Sequence, residues 1–269
     1  MSIFKHGSLA VLLAGAAIAV GASAAQAFTF TTNYTASHSG SNQWKGNLML
    51  DSVTYGGQTY SDFSLVNRTN IVSNDLWTGG NTGAASADMG DLATVGLKAE
   101  RASNSDIAQA LGNKNLSSIV DTEDSGNFAI DLFFDKGVQD ILIWERGKNS
   151  AMDVQAIDAG GNLVGNLLAL GISNQGGWGD AGFKLDTKEI GSAQSVASIG
   201  VSLTDFGVND SAIYGLRVIS RGSSYNGPDW KVMGTAAKPT TNTPEPFSML
   251  GGAIALGGAA LMKRRAAQR

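Results

Sequence analysis

The sequence predicts a mainly β chain: an antiparallel β-sandwich, jelly-roll-like, with one short helix, flanked by an N-terminal signal peptide and a C-terminal transmembrane sorting helix. Three observations lead there. Apolar and polar residues alternate over many short segments. Turns rich in Gly and Asn separate those segments. Only one stretch has a helical apolar stripe with capping residues at its ends.

The elements follow in order. Residues 28–34 alternate aromatic and Thr positions, and 48–55 and 59–66 flank Gly56-Gly57-Gln58 as a hairpin, since glycine tolerates the positive φ of a tight turn. Residues 70–96, rich in Gly, Asn, Ala and Ser, read as a long loop. The helix is expected after Ser105 as cap, with Asp106 in its first turn, Ile107, Ala108, Ala110 and Leu111 as its stripe, and Gly112 where the chain leaves. Residues 127–135 place Phe128, Ile130, Leu132 and Phe134 on one face and Asp131 on the other. Asp135-Lys136-Gly137 is expected to turn the chain into 138–144, whose Ile141, Leu142 and Ile143 suggest a strand covered on both sides. A second hairpin joins 151–157 to 163–168 around Asp158-Ala159-Gly160-Gly161-Asn162. Later strands are expected at 182–185, 196–203, 213–220 and 230–233.

The two ends read as addresses. Lys5, an apolar stretch over 9–20 and the small residues up to Ala25-Gln26-Ala27 make a secretory signal cleaved after Ala27. At the other end Pro244-Glu245-Pro246 leads into an uncharged apolar run over 247–262 and then into Lys263-Arg264-Arg265. That run is sixteen residues long, just under the roughly 17–25 of a spanning helix, and the basic cluster behind it would stay cytoplasmic. The organisation is therefore 1–27 signal peptide, 28–235 β domain, 236–243 polar linker and 244–269 sorting signal.

Charge and composition exclude several classes of function. Between the two signals the chain holds 14 basic residues against 22 acidic ones. No basic stripe exists to neutralise phosphates, so no nucleic-acid partner is expected. The absence of cysteine removes disulfides, thiol nucleophiles and Cys-type zinc sites. His38 is the one histidine left once the signal is removed, too few for a His-rich zinc site.

Pro-Glu-Pro, an apolar segment and a basic tail, paired with a signal peptide, resemble the PEP-CTERM proteins of Gram-negative bacteria. The body is similar to exosortase-dependent surface proteins through Ile119-Val120-Asp121-Thr122-Glu123-Asp124, Trp144-Glu145-Arg146-Gly147, Val154-Gln155-Ala156-Ile157-Asp158 and Asn226-Gly227-Pro228-Asp229-Trp230-Lys231-Val232. The resemblance implies export through the Sec pathway, recognition of the C-terminal signal by a membrane-embedded exosortase, and a place at the cell surface or in the extracellular matrix. It implies no enzymatic activity.

Within the β domain two groups of residues suggest binding. Trp77 and Trp178 sit among glycines, with Asp75 and Asp180 nearby, and a ring face beside a carboxylate suits a sugar of an extracellular polysaccharide. The competing reading folds both rings back over the core. Trp144 and Trp230 lie in strand-like runs and are expected in the core. The loop Asp121-Thr122-Glu123-Asp124-Ser125-Gly126-Asn127 gathers the oxygen ligands that calcium takes, offered by Asp121, Glu123, Asp124 and Asn127. Its spacing is not that of an EF-hand, and a solvated acidic turn explains it as well. The expected function is a non-enzymatic structural or adhesive protein that binds glycan. The alternative is a secreted glycoside hydrolase, which needs two carboxylates facing across a cleft. Only Glu100, Glu123, Glu145 and Glu189 supply glutamates between the signals, and an ion pair to Arg146 would explain Glu145 equally well.

Overall fold

The computed structural model describes residues 27–76, 102–171, 177–186, 192–210 and 212–236. The chain there is mainly β, with antiparallel sheets and one α-helix. Its strands are β1 (Thr31–Ala36), β2 (Leu48–Tyr55), β3 (Gln58–Tyr60), β4 (Phe63–Ser64), β5 (Val66–Asn74), β6 (Asn127–Arg146), β7 (Met152–Ile157), β8 (Leu163–Leu170), β9 (Gly179–Leu185), β10 (Gln194–Ser202), β11 (Ile213–Arg221) and β12 (Asp229–Ala236). The helix α1 covers Asn104–Leu111.

The organising element is β6, 20 residues long. Its first half pairs with β5 and β11 on its two edges, and its second half with β12 and β10. Beyond β11 come β7 and β8, beyond β10 comes β9, and β4 adds to β12. A separate sheet has the order β1-β2-β3. The turn expected at Asp135-Lys136-Gly137 is instead an irregularity inside one continuous strand. Pairing with β11 jumps there from Val138 to Phe133 while β11 advances only from Ile213 to Gly215. Side chains hold the extra residues: Ser64 Oγ donates to Asp135 Oδ1 at 2.6 Å, and Lys136 N donates to Ser64 Oγ at 2.9 Å. A bulge fixed in this way bends a strand without ending its pairing.

Alternation along β6 divides the core. Ile130, Leu132, Ile141 and Ile143 enter one large apolar cluster with Trp230, Val218 and the helix residues Ile107 and Leu111. Leu142 and Trp144, pointing the other way, enter a second cluster with Phe30, Leu48, Leu50 and Phe183. The run 141–144 is therefore covered on both faces, and both Trp144 and Trp230 are buried. Trp144 packs edge-on to Phe30 at 5.2 Å between ring centroids, and its indole N–H donates to Thr32 Oγ1 at 3.0 Å.

Both expected turns form, β2–β3 through Gly56 and Gly57 at positive φ and β7–β8 through 158–162. The strand expected over 59–66 is divided: Gln58–Tyr60 pairs with β2, while β4 and β5 pair with β12 and β6 in the other sheet. The helix starts two residues earlier than the sequence suggests. Ser103 is its cap, and Asp106 closes a reciprocal capping box with the Ser103 backbone. Gly112 ends it, as read from sequence. β5 runs through residues 70–74, where a loop is expected, because pairing with β6 holds a polar segment extended. No helix among the described residues is long and apolar enough to cross a membrane; residues 244–269, expected from sequence to form a sorting signal, lie outside them.

Candidate functional site

Three of the four stretches that carry the family resemblance meet at the end of β6. Arg146 lies directly opposite Asp229 of β12, and Val120 bridges Trp230 through hydrogen bonds in both directions, at 2.9 and 2.8 Å. The Arg146 guanidinium donates to Asp229 Oδ2 from Nε at 3.0 Å and from Nη2 at 2.7 Å, and Nη2 reaches Asp121 Oδ1 at 3.5 Å. Asp229 Oδ1 accepts Thr122 N at 3.0 Å, which draws the acidic loop onto the sheet. All three charged side chains are buried. The Asn226-Gly227 turn presses against that loop. Gly227 has φ +44, and a Cβ on it would lie 2.3 Å from the Thr122 carbonyl oxygen.

Glu145 points to the opposite face from Arg146 and is completely enclosed. Its Oε2 accepts Lys148 N at 2.8 Å, and its Oε1 has no hydrogen-bond partner among the described residues. Burial, reinforced by the nearby Asp229 charge, pushes its carboxyl up to about 8. The group is protonated at neutral pH. Arg146 is thus committed to Asp229 and Asp121, and the expected explanation of Glu145 by an ion pair gives way to a neutral buried acid.

The chain then turns outward through Gly147 and Lys148, both at positive φ. Lys148 Nζ donates to Asp180 Oδ2 at 3.0 Å, and Asp180 Oδ1 accepts Gly182 N at 2.8 Å. The Gly182 amide first, and then Lys148, hold the Asp180 carboxyl below its ordinary value. Trp178 is half-buried against the larger cluster, and its Nε1 donates to the Ser150 carbonyl at 2.7 Å. Ser150 Oγ in turn donates to Asn226 O at 2.8 Å. The ring is anchored by this hydrogen bond and remains half-buried.

The two groups read from the sequence are not separate. Asp75 Oδ2 accepts both Asn127 N at 2.9 Å and Asn127 Nδ2 at 2.8 Å, so a residue expected beside a sugar pins one expected beside calcium. Asp121 is turned inward to Arg146, Glu123 is half-buried and Asp124 is exposed. A calcium ion taking Asp121 as ligand would have to displace the guanidinium. Among the described residues no three His, Asp or Glu side chains are gathered to hold a metal ion. Trp77, Ala25, Pro244, Glu245, Pro246, Lys263, Arg264 and Arg265 lie outside the described residues. Ala27 packs against the larger cluster, and Phe28 N donates to Gly200 O at 2.9 Å. Cleavage after Ala27 would leave the new terminus tied to β10. His38 is exposed, its Nδ1 within 2.9 Å of Ser37 Oγ.

Sequence reasoning missed the Arg146–Asp229–Asp121 cluster because it depends on the register between β6 and β12. The one available signal was that Arg146 closes one apolar strand-like run and Asp229 opens another. Compared with family models, with curated proteins and with solved structures, the chain matches none of them.

Proposed function

We propose that this chain is an exported, non-enzymatic surface or matrix protein of a Gram-negative envelope, sorted by an exosortase through its PEP-CTERM-like end, with a structural or adhesive role and a glycan-binding face at Trp178. The frame of this reading is a β-sandwich, with the β1–β3 sheet as the layer that covers the Trp144 face of β6. The observation that carries the glycan part is the indole of Trp178. It is anchored by one hydrogen bond and stays only half-buried, two residues before Asp180 of the Lys148–Asp180 pair. A ring fixed in advance loses little freedom when a sugar stacks on it.

The geometry at the end of β6 favours binding over hydrolysis. A glycosidase needs two carboxylates open to a cleft, whereas Glu145 is enclosed and Asp121 and Asp229 are held by Arg146. Glu100 and Glu189 lie outside the described residues. Export and sorting rest on 1–27 and 244–269 as read from sequence.

The test is fractionation of cells that make the full chain in a host carrying an exosortase. The parent protein is expected processed and retained in the extracellular polysaccharide. Glu245→Ala is expected to leave unprocessed precursor in the membrane. Trp178→Ala, and separately the exposed change Asp180→Asn, are expected to be processed normally but released from the polysaccharide. Normal processing of Glu245→Ala would remove the sorting reading, and full retention of both other variants would remove the glycan face.

A further inference from the structure

At the opposite end of β7 from Ser150, an open pocket of about 340 Å³ lies where β5, β6 and β11 meet the β7–β8 turn. That volume is at the lower end of small-ligand sites. Its walls are built from chemically distinct parts. Arg68 lies opposite Phe133 in the β5–β6 pairing, and its guanidinium carbon sits 3.5 Å from the Phe133 ring centroid. Phe133 in turn lies opposite Gly215 on β11, where a Cβ would be 3.4 Å from the ring and 2.5 Å from the Leu132 carbonyl oxygen. The close approach of the Leu132 carbonyl is what requires glycine there. Tyr214, 43% exposed, lays its ring close to Gly137, 3.2 Å from where a Cβ would stand. Asn67 and Asp158 complete the polar lining.

The charges define the ligand. No carboxylate pairs with Arg68 among the described residues, although it is the only cationic side chain that lines this pocket. Stacking on Phe133 fixes the plane of the guanidinium and leaves its N–H edge free for a planar anion. Asp158 forms no ion pair with it; its Oδ1 accepts Asn162 N at 2.8 Å and both of its oxygens lie within 3.3 Å of Asn162 Nδ2. With one cation and one carboxylate on the walls, a dianion such as a phosphate monoester would be repelled by Asp158. A monoanion bearing hydroxyl groups fits both. Its carboxylate would accept from the Arg68 fork, its hydroxyls would bond Asp158 and the Asn67 amide, and its ring would lie on Tyr214.

We infer that this pocket is a binding site for a uronic acid residue of an acidic polysaccharide, with Arg68 as the carboxylate-recognising group and Tyr214 as the ring platform. The inference adds a second site to the glycan-binding reading and gives the sugar a charge. It shares with the Trp178 face only the class of ligand, so either can fail alone.

The test is calorimetric titration of the full chain, held in mild detergent, with an oligogalacturonate, an oligomannuronate and the carboxyl-reduced form of each. The expected result is binding of at least one uronate, no binding of its reduced form at this site, and weakening of the uronate as salt is raised. Arg68→Gln is expected to cost about 10- to 100-fold in affinity, the range for losing a hydrogen bond to a charged group. Tyr214→Ala is expected to weaken binding several-fold, and Trp178→Ala to leave it unchanged. Should Arg68→Gln fail to fold, the reduced oligomers and Tyr214→Ala carry the test. Binding of neither uronate, equal binding of the reduced forms, or uronate affinity that survives Arg68→Gln would each overturn the inference. A neutral glycan bound in a Trp178-dependent way, with no uronate bound, would overturn it and leave the Trp178 face standing.

Discussion

Two buried ionisable residues stand side by side on the second half of β6 and its neighbour, and they push stability in opposite directions with pH. Glu145 is opposite Trp230 on one face, and Lys231 is opposite Trp144 on the other. Glu145 is raised to about 8, so between roughly 4.5 and 8 the unfolded chain ionises while the folded one holds its proton. Its penalty is absent below the unfolded value, grows with pH across that window at up to about 1.4 kcal/mol per unit, and levels off above 8. Glu145→Gln keeps an acceptor for the Lys148 amide and has no proton to lose. The variant should match the parent near pH 4.5 and be more stable by a few kcal/mol at pH 8. Urea unfolding across that range reads the difference, and parallel curves would mean that Glu145 does not hold its proton in the fold. None of this was legible in the sequence, where Glu145 next to Arg146 reads as an ordinary ion pair. Alternation sends the two side chains to opposite faces, and only the partner strand decides which finds a counter-charge.

At the scale of elements, local chemistry was readable and long-range pairing was not. Gly56-Gly57 and Asp158 to Asn162 mark hairpins because a tight turn dictates its own residues. Asp135-Lys136-Gly137 has the same composition and turns nothing, since Ser64 from another strand holds it as a bulge. The helix shows both behaviours. Its stripe and its Gly112 exit are local, whereas its last turn is completed from β12. There Lys231 Nζ donates to Ala110 O at 2.6 Å and Asn113 Oδ1 at 3.2 Å. Burial holds Lys231 well below its ordinary value. In the unfolded chain it takes up a proton that the fold disfavours, so its penalty is greatest at low pH and is relieved as pH approaches 10.5. Lys231→Met removes that penalty together with both hydrogen bonds. Relative to the parent, the variant should therefore lose stability as pH rises from neutral toward 10.5. A constant difference across that range would show that Lys231 is charged in the fold. Ser103→Ala should cost about 1 kcal/mol at any of these pH values, because it removes only the capping box.

The whole molecule depends on one strand being shared. A domain without disulfides has only its packing to hold it, and here two apolar clusters use alternate residues of the same segment of β6. Sequence periodicity could announce a strand covered on both sides at 141–144, but not that residues of the β1–β3 sheet lie in one covering while the helix and other strands of β6's own sheet make the other. Leu142 faces the cluster with Phe30, Leu48 and Leu50, while Ile143 faces the one with Trp230 and Val218. Loss of either covering exposes half of the same backbone, so the clusters should unfold together. Leu142→Ala and Ile143→Ala should each cost about 2–5 kcal/mol, as truncations in a close-packed core do. The measurement is hydrogen exchange followed through a urea transition at Leu50 of β2, which reports the cluster around Leu142 and Trp144, and at Leu216 of β11, which reports the larger cluster around Ile143 and Trp230. In the parent the two amides should lose protection at one midpoint, and each variant should shift both midpoints equally. If Leu142→Ala moved only Leu50, the β1–β3 sheet would be a separately unfolding layer, tied to the rest by backbone hydrogen bonds such as Leu50 N to Lys114 O and Leu116 N to Leu48 O, both at 2.8 Å.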